Sequence, residues 1–380
     1  MNSRERIHIA LEHNEPDRIP LDLGGIVTGI HKNAYDKLKN YFGLKTETLI
    51  FHKSQQLAKI EENILKKFNI DTRYVYFTID PYSKILNEKY SIDMWGVKRV
   101  KIQYYYDISS NGIPLKNINS IEDLENYNWP DPEKIIEANI HSVEKNSKYF
   151  HNKTNYAIIY HSGASIFERS WMLRGFNEFI IDLIKNPNFA CKIMDIIMNF
   201  YIKILNKTLS IIGKYIDVVT ITDDISFQQG PIIPINIYRK YIKPRHKKLI
   251  DIIKSKANVK IFIHCCGSAS YFFEDFIDIG IDIVNPIQVS AKNMDTKILK
   301  EKFGDKLCFW GAIDTQKVLP FGSIKDVEKE VKKRIEDLAP GGGYVLAPVH
   351  NIQADVPPKN IIIMYEAAKK YGKYPIKAIS

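Results

Sequence analysis

VKIFIHCCGS, residues 259–268, is the stretch of this chain that decides its fold and its chemistry. The mostly apolar run predicts a buried β-strand over Val259–His264. Side chains of a strand alternate between two faces, so His264 and Cys266 point the same way and Cys265 points away. An imidazole and a thiolate at this spacing can supply half of a zinc site. The pair alone is weak evidence, because free cysteine usually behaves as a small buried apolar residue.

Short apolar runs alternate with helix-length segments along most of the chain, a pattern typical of α/β folds with a parallel sheet. Eight strand–helix units in 380 residues predict a (β/α)8 TIM barrel that occupies residues 1–380 as a single domain. Residues 88–131 break the alternation and predict an inserted β-hairpin (88–107) followed by a loop region. The predicted barrel strands are Arg18–Leu23, Arg73–Thr78, Tyr156–His161, Asp217–Thr222, Val259–His264, Ile281–Asn285, Leu307–Gly311 and Tyr344–Pro348.

Composition excludes several classes of protein. A hydrophobic share of 45% is ample for a full core, and no apolar run reaches the roughly 18 residues that a membrane span requires. The formal charge of +10 comes from scattered lysines, which disfavours nucleic-acid binding but leaves open a weak attraction for anionic substrates or an acidic partner. Four cysteines and no apolar leader lead us to expect a reduced, cytoplasmic protein.

Polar side chains recur after the predicted strands, where (β/α)8 barrels carry their active sites. Asp223 and Asp224 follow the fourth strand and could bind a metal, orient a ligand or act as acid and base; the alternative is a helix N-cap. Glu168 could face the pocket or form a surface pair with Arg169. These three carboxylates are the candidate catalytic residues. The candidate substrate-binding residues at other strand ends are His161, Asn285, Gln288 and Asp314.

His350, after the last predicted strand, is the best candidate for a third metal ligand; the alternative is a hydrogen bond within its loop. Three protein ligands with one open position form the pattern of catalytic zinc, whereas four ligands form a structural site. Such a zinc ion lowers the pKa of a bound thiol or water. The sequence therefore predicts Zn²⁺ bound by His264, Cys266 and His350.

Six stretches resemble the uroporphyrinogen decarboxylase superfamily and, within it, the cobalamin-dependent methyltransferase branch. They are RERIHIALEHNEPDRIPLDLGG (4–25), TDDISFQQGPIIPINIYRKYIKP (222–244), IFIHCCGSAS (261–270), DIGIDIVNPIQ (278–288), GAIDTQKVLPFGS (311–323) and HNIQADVPPKNIIIMYEAAKKYGKY (350–374). The resemblance implies a (β/α)8 barrel. In that branch, zinc is held by the His and Cys of the His-x-Cys motif and by a later Cys, and it activates a thiol acceptor. His264 and Cys266 match the motif, and His350 stands where the later Cys falls.

The resemblance also separates two activities. Authentic uroporphyrinogen decarboxylases carry a Met-Arg-Gln-Ala-Gly-Arg segment whose arginines bind the substrate carboxylates, and residues 22–38 of this chain contain no arginine. A tetrapyrrole with many carboxylates needs clustered guanidinium groups. We therefore expect a zinc-dependent methyltransferase that moves a methyl group between a corrinoid protein and a small acceptor or donor. The corrinoid is expected on a separate partner, because this chain lacks an Asp-x-His-x-x-Gly signature. The alternatives are a metal-free carboxy-lyase of porphyrin biosynthesis and a non-catalytic corrinoid-handling protein.

Overall fold

The structure, a computed structural model, describes residues 1–77, 84–87 and 89–376. Thr78, which ends a predicted strand, and Glu88, which begins the predicted insertion, lie outside the described residues, as do residues 377–380. In chain order the strands are β1 (Ile50–His52), β2 (Leu57–Ala58), β3 (Thr72–Tyr76), β4 (Lys84–Ile85), β5 (Tyr90–Ile92), β6 (Lys98–Ile102), β7 (Tyr105–Ile108), β8 (Ala157–His161), β9 (Val218–Thr222), β10 (Ser226–Phe227), β11 (Gly230–Pro231), β12 (Lys260–His264), β13 (Ile283–Asn285), β14 (Cys308–Ile313) and β15 (Tyr344–Pro348). The helices are α1 (Ser3–Leu11), α2 (Lys32–Tyr41), α3 (Glu62–Lys67), α4 (Ile121–Glu125), α5 (Pro132–Lys153), α6 (Phe167–Arg174), α7 (Phe176–Lys185), α8 (Pro187–Ile212), α9 (Ile235–Ile237), α10 (Lys243–Lys256), α11 (Phe273–Ile279), α12 (Thr296–Phe303), α13 (Val318–Phe321), α14 (Ile324–Leu338) and α15 (Pro358–Tyr371).

A curled parallel sheet forms the centre of the molecule. Its strands lie in the order β15-β14-β13-β12-β9-β8-β3. Strands β8, β14 and β15 are buried along their whole length, as expected for parallel strands covered by helices. The predicted α/β barrel is therefore confirmed, and seven of the eight predicted strands are present with ends that shift by no more than two residues.

Alternation along β12 determines where its terminal side chains point. Phe262 packs inside the barrel, where its ring lies 5.5 Å from that of Trp310. Ile263 and Cys265 belong to the larger cluster that includes the buried faces of the surrounding helices. Because side chains two residues apart share a face, His264 follows Phe262 towards the barrel interior.

The predicted first strand, Arg18–Leu23, is wrong as a regular strand. Its segment makes isolated contacts instead: Leu346 donates its N–H to Pro20 O at 3.0 Å, and Asp71 donates its N–H to Leu21 O at 2.9 Å. Pro20 has no N–H to continue a ladder, which explains the interruption. The segment nevertheless bridges β15 to the start of β3 and so fills the eighth position of the barrel.

The insertion between β3 and α5 is larger than the predicted hairpin. Strands β4 to β7 form a four-stranded antiparallel sheet, in which β6 and β7 are the hairpin that the alternation predicts. The predicted loop region that follows contains helix α4. Trp95, in the turn between β5 and β6, is buried, and its ring lies 4.6 Å from that of Phe200 on α8. This contact fixes the inserted sheet against the body of the barrel.

Helix α8 is the longest helix of the described residues, with 26 residues and a proline in its first turn. Apolar side chains at Ile193, Ile197 and Ile204 recur at helical spacing and are buried. Tyr201 lies on the same buried side and lines a cavity at the C-terminal end of the barrel sheet. No described helix combines the length and the apolar character needed to cross a bilayer.

Candidate active site

A cavity of about 620 Å³ lies at the C-terminal end of the barrel sheet, where the fold predicts the active site. Strand ends, the loops after them and the inserted sheet all contribute to its wall. The predicted site residues that line it are His161, Glu168, Asp224, His264 and His350. The remaining predicted residues, which lie behind this wall or away from it, are Asp223, Cys266, Asn285, Gln288 and Asp314.

The three predicted metal ligands converge. One ligand atom each from His264, Cys266 and His350 lies within 4.8 Å of the other two. His264 Nε2 is 3.3 Å from Cys266 Sγ, and the two imidazole rings are 5.4 Å apart between centroids. Tetrahedral zinc with bonds of about 2.0–2.3 Å would separate its ligand atoms by about 3.5 Å, so this donor set fits the ion.

The Asn285 amide orients the His264 ring for metal binding. Its Nδ2 donates to Trp310 O at 2.8 Å, which leaves its Oδ1 to accept the Nδ1–H of His264 at 2.5 Å. The lone pair of His264 Nε2 therefore faces Cys266. Asn285 was predicted to bind substrate; in the structure it contacts a predicted ligand instead, as second partners of metal-binding histidines commonly do.

Backbone contacts hold the turn that carries Cys266. Cys266 N–H donates to Asp224 Oδ1 at 2.7 Å, and Gly267 N–H donates to Gln288 Oε1 at 2.7 Å. Gly267 has a φ of 85°, and a Cβ atom there would lie 2.5 Å from Phe227 O. Only glycine fits this position without displacing the neighbouring chain.

Burial changes the protonation of the ligand set. It lowers the pKa of His264 to about 4, and it lowers the pKa of His350, with a further contribution from His264, to about 4. Both rings are therefore neutral at neutral pH, the form that binds a metal. Burial, followed by the charge of Asp224, raises the pKa of Cys266 well above its ordinary value. A bound cation would reverse this effect and favour the thiolate.

Asp223 does not line the cavity. Its carboxylate accepts the backbone N–H groups of Ile166, Phe167 and Glu168 at 3.1, 2.8 and 2.6 Å, and it contacts His246 Nε2 at 2.8 Å. These N–H groups belong to the start of α6, so Asp223 caps that helix from a neighbouring strand end. It positions Glu168 and is not placed to touch a substrate.

Two half-buried carboxyl groups, those of Glu168 and Asp224, do line the cavity. Burial first, and then the charges of Asp224 and Asp223, raise the pKa of Glu168 to about 8, so Glu168 holds a proton at neutral pH. Burial also raises the pKa of Asp224, while its hydrogen bond from Cys266 N and the nearby His350 oppose the change. A protonated carboxylic acid in the cavity is suited to proton transfer.

The remaining two predicted substrate residues differ in placement. His161 lines the cavity, and its Nδ1 lies 2.7 Å from Thr220 Oγ1, which leaves Nε2 for a ligand. Burial lowers the pKa of His161 to about 3, so the ring is neutral. Asp314 accepts the backbone N–H of Gln316 at 2.7 Å in its own turn and is not among the residues of the cavity wall.

Several residues of the cavity wall are absent from the predictions, chiefly Arg99 and Arg169. A surface pair with Glu168 was one alternative for Arg169, but the residue is half-buried, and its guanidinium lies 5.5 Å from the Trp95 ring centroid. Arg99 comes from β6, where Lys98 and Lys101 also stand. Nothing in this alternating basic strand distinguishes the residue that faces the cavity from those that face solvent.

Comparisons with known proteins agree with the resemblance seen in the sequence. A family model described as Uroporphyrinogen decarboxylase (URO-D) matches residues 104–371. The chain is 24% identical over 323 residues to uroporphyrinogen decarboxylase from Wigglesworthia glossinidia brevipalpis, covering 81% of both chains. It is 22% identical over 263 residues to that of Pseudoalteromonas atlantica, covering 68% of this chain and 70% of the relative. A solved structure of a methyltransferase from Methanosarcina mazei superimposes with a TM-score of 0.66 at 17% identity, covering 98% of this chain and 99% of that one, which shows a shared fold.

Proposed function

The chain belongs to the uroporphyrinogen decarboxylase family, and from this premise we propose that it is a zinc-dependent methyltransferase. It moves a methyl group between a corrinoid carried on a partner protein and a small molecule that accepts or donates the methyl group. The observation that carries this proposal is the convergence of His264, Cys266 and His350, of which the two histidines line the cavity. Three protein ligands leave one position open for a reacting molecule.

Zinc in this site would act as a Lewis acid that keeps an acceptor thiol in its thiolate form. In that direction a sulfur–carbon bond forms while the cobalt–carbon bond breaks, and the electron pair of the broken bond stays on cobalt. In the reverse direction cobalt takes the methyl group, and the leaving heteroatom keeps its electron pair and needs a proton. Glu168, protonated and exposed to the cavity, is our candidate for that proton transfer. Asn285 orients His264, and Asp224 holds the backbone of Cys266.

The donor set differs from that of the methyltransferase branch it resembles. One thiolate and two imidazoles leave the metal more electrophilic than two thiolates and one imidazole, because thiolate donates more charge. Such a metal activates a bound thiol less strongly and a bound methyl donor more strongly. The acceptor or donor is therefore not restricted to a thiol.

Decarboxylation of a porphyrinogen is the second candidate function, since the curated relatives carry that name. Two arginines line the cavity among the described residues. This is a small number for a tetrapyrrole with eight carboxylates, which needs several guanidinium groups. The three converging ligand residues also have no role in a metal-free decarboxylation. We therefore favour methyl transfer.

Zinc analysis combined with assays of methyl transfer, decarboxylation and corrinoid-protein binding tests the proposal. The purified protein should retain about one zinc per chain, transfer methyl from methylcobalamin to a thiol panel or from methylated donors to cob(I)alamin, and lose both properties in Cys266→Ser. Cys265→Ala is the matched control, because the Cys265 side chain packs in the core, away from the cavity. Metal-free protein that decarboxylates uroporphyrinogen would refute the proposal. Binding of a methylated corrinoid protein without turnover in any assay would also refute it, in favour of a non-catalytic handling role.

A further inference from the structure

Two guanidinium groups line the cavity that is also lined by the predicted metal ligands His264 and His350. Arg99 comes from the inserted sheet and Arg169 from α6, and their side chains are 16% and 19% exposed. Removing a charge from water is costly unless a counter-charge or hydrogen-bond acceptors replace the lost hydration. Two such groups in one cavity wall therefore require an explanation beyond the stability of the fold.

The described residues provide these arginines with less negative charge than they carry. Asp93 Oδ2 is the carboxylate oxygen within ion-pair distance of both, at 3.3 Å from Arg169 Nη1 and 3.6 Å from Arg99 Nη2. Glu168 lies near both guanidinium groups, but burial and the charge of Asp224 raise its pKa to about 8, so it is mostly protonated at neutral pH. Within this group of three residues, two guanidinium groups therefore share one carboxylate at ion-pair distance.

Hydrogen bonding is also incomplete. Among the described residues, the side chain of Arg99 makes two long contacts, both from Nη2: to Asp93 Oδ2 at 3.6 Å and to Met172 Sδ at 3.7 Å. Arg169 contacts Asp93 and Tyr201, yet its buried Nε has no hydrogen-bond partner in the described part of the chain. A guanidinium offers five N–H donors, and within the described part of the chain most of those on Arg99 have no close acceptor.

We call the part of the cavity that contains Arg99 and Arg169 its arginine end. The Arg99 backbone and the Arg169 side chain are held in place there before a ligand arrives. Arg99 sits in the β6–β7 ladder opposite Ile108, and the buried Trp95 ring lies beside Arg169. Met172 and Phe77 add apolar wall between polar groups. An ordered guanidinium loses little side-chain freedom on binding, which favours the planar, two-point recognition of a carboxylate.

We infer that Arg99 and Arg169 form a carboxylate subsite, so that the small methyl donor or acceptor is a carboxylic acid with an apolar body. This inference rests on the proposed function for the reacting end of the molecule, whereas the subsite itself can be tested without it. The planar fork of the Arg99 guanidinium matches the two coplanar oxygens of a carboxylate better than the tetrahedral oxygens of a phosphonate. Arg99 is therefore the residue that determines specificity for the charged end of the substrate.

Binding of matched acid and amide probes tests the subsite. Mercaptocarboxylic acids of increasing chain length, the corresponding amides, and mercaptoalkyl phosphonates are titrated calorimetrically into zinc-loaded protein. At one chain length the acid should bind about 10- to 100-fold more tightly than its amide, the range expected for hydrogen bonds to charged groups. Arg99→Met should abolish this preference, and Arg99→Lys should recover part of it. Lys101→Met removes the same charge from an exposed position of the same strand and should leave the preference intact.

Failure of the subsite and failure of the proposed function give different results. Plain carboxylic acids and their amides are also titrated into Cys266→Ser, where no zinc chemistry is needed. An acid preference that depends on Arg99 there supports the subsite even if no methyl transfer occurs. Equal binding of acid and amide by zinc-loaded, methyl-transferring protein would overturn the subsite alone. A phosphonate that binds more tightly than the carboxylate would overturn the assignment to a carboxylate.

Discussion

The two ends of the cavity are built in different ways. The metal end uses strand ends and turns of the barrel, where β12 is almost wholly buried and each neighbouring side chain is fixed by its own hydrogen bonds. The arginine end, formed by Arg99 and Arg169, combines helix α6 with an inserted antiparallel sheet whose strands are half-buried or exposed. A rigid barrel suits the placement of ligands within tenths of an ångström, whereas an inserted element can change without disturbing them. Under the proposed function, the barrel carries the chemistry, and the insertion contributes Arg99 to the choice of substrate.

Replacing His350 tests the metal end with the largest expected effect. His350→Ala should reduce zinc affinity by at least about 100-fold, because two ligands remain from three, and abolish methyl transfer. His350→Cys should restore zinc binding. Zinc content after dialysis against a chelator measures both variants. Full zinc occupancy and unchanged turnover in His350→Ala would show that His350 is not a zinc ligand and only contacts its own loop.

Removing the Asn285 amide should weaken the same end less. Asn285→Ala frees the His264 ring to rotate or change tautomer, and loss of such a supporting contact typically lowers metal affinity by about 10- to 100-fold. Asn285→Asp keeps an acceptor for His264 Nδ1–H but loses the donor to Trp310 O, so it should restore only part of the affinity. Competition with a chromophoric chelator gives the values. A purely structural role would lower thermal stability and leave zinc affinity unchanged.

At the arginine end, Asp93→Asn should change the binding of the carboxylate probe without changing zinc binding at the metal end. The amide oxygen can still accept the N–H groups of Trp95 and Val97, so the turn is kept while the counter-charge of the arginines is lost. We expect the carboxylic acid probe to bind about 3- to 10-fold more tightly at low salt, with zinc content unchanged. Loss of zinc in this variant would show that the two ends are not independent.

Asp314→Asn should have the smallest effect. Its carboxylate caps its own turn and lies outside the cavity wall, and asparagine can accept the same N–H from Gln316. Turnover and KM should stay within about twofold of the unchanged protein. A large rise in KM would mean that Asp314 reaches the substrate, as its position after a strand predicts.

Local patterns were sufficient to predict most of the barrel and the three converging ligands. Buried parallel strands are continuous apolar runs, and side-chain alternation alone places His264 and Cys266 together and Cys265 in the core. The first strand failed because Pro20 interrupts its ladder, and pairing with β15 and β3 depends on distant parts of the chain. The apolar residues of Arg18–Leu23 predict burial, but they do not indicate which strands the segment pairs with.

Residues whose roles depend on long-range contacts could not be assigned. Asp223 and Asp224 are adjacent, yet one caps a helix that precedes it by about 55 residues and the other lines the cavity. Arg99 and Arg169 meet only because Asp93 and Trp95 bring the insertion against α6. No local spacing encodes such contacts.

X-ray absorption at the zinc edge, on the zinc-loaded protein before and after addition of a mercaptocarboxylic acid, tests the central claim most directly. The claim predicts one sulfur and two imidazole nitrogens with a fourth, light ligand, and a second sulfur in place of that ligand after the thiol is added. Protein that binds no zinc, or a zinc ion with four protein ligands and an unchanged spectrum after addition, would contradict it.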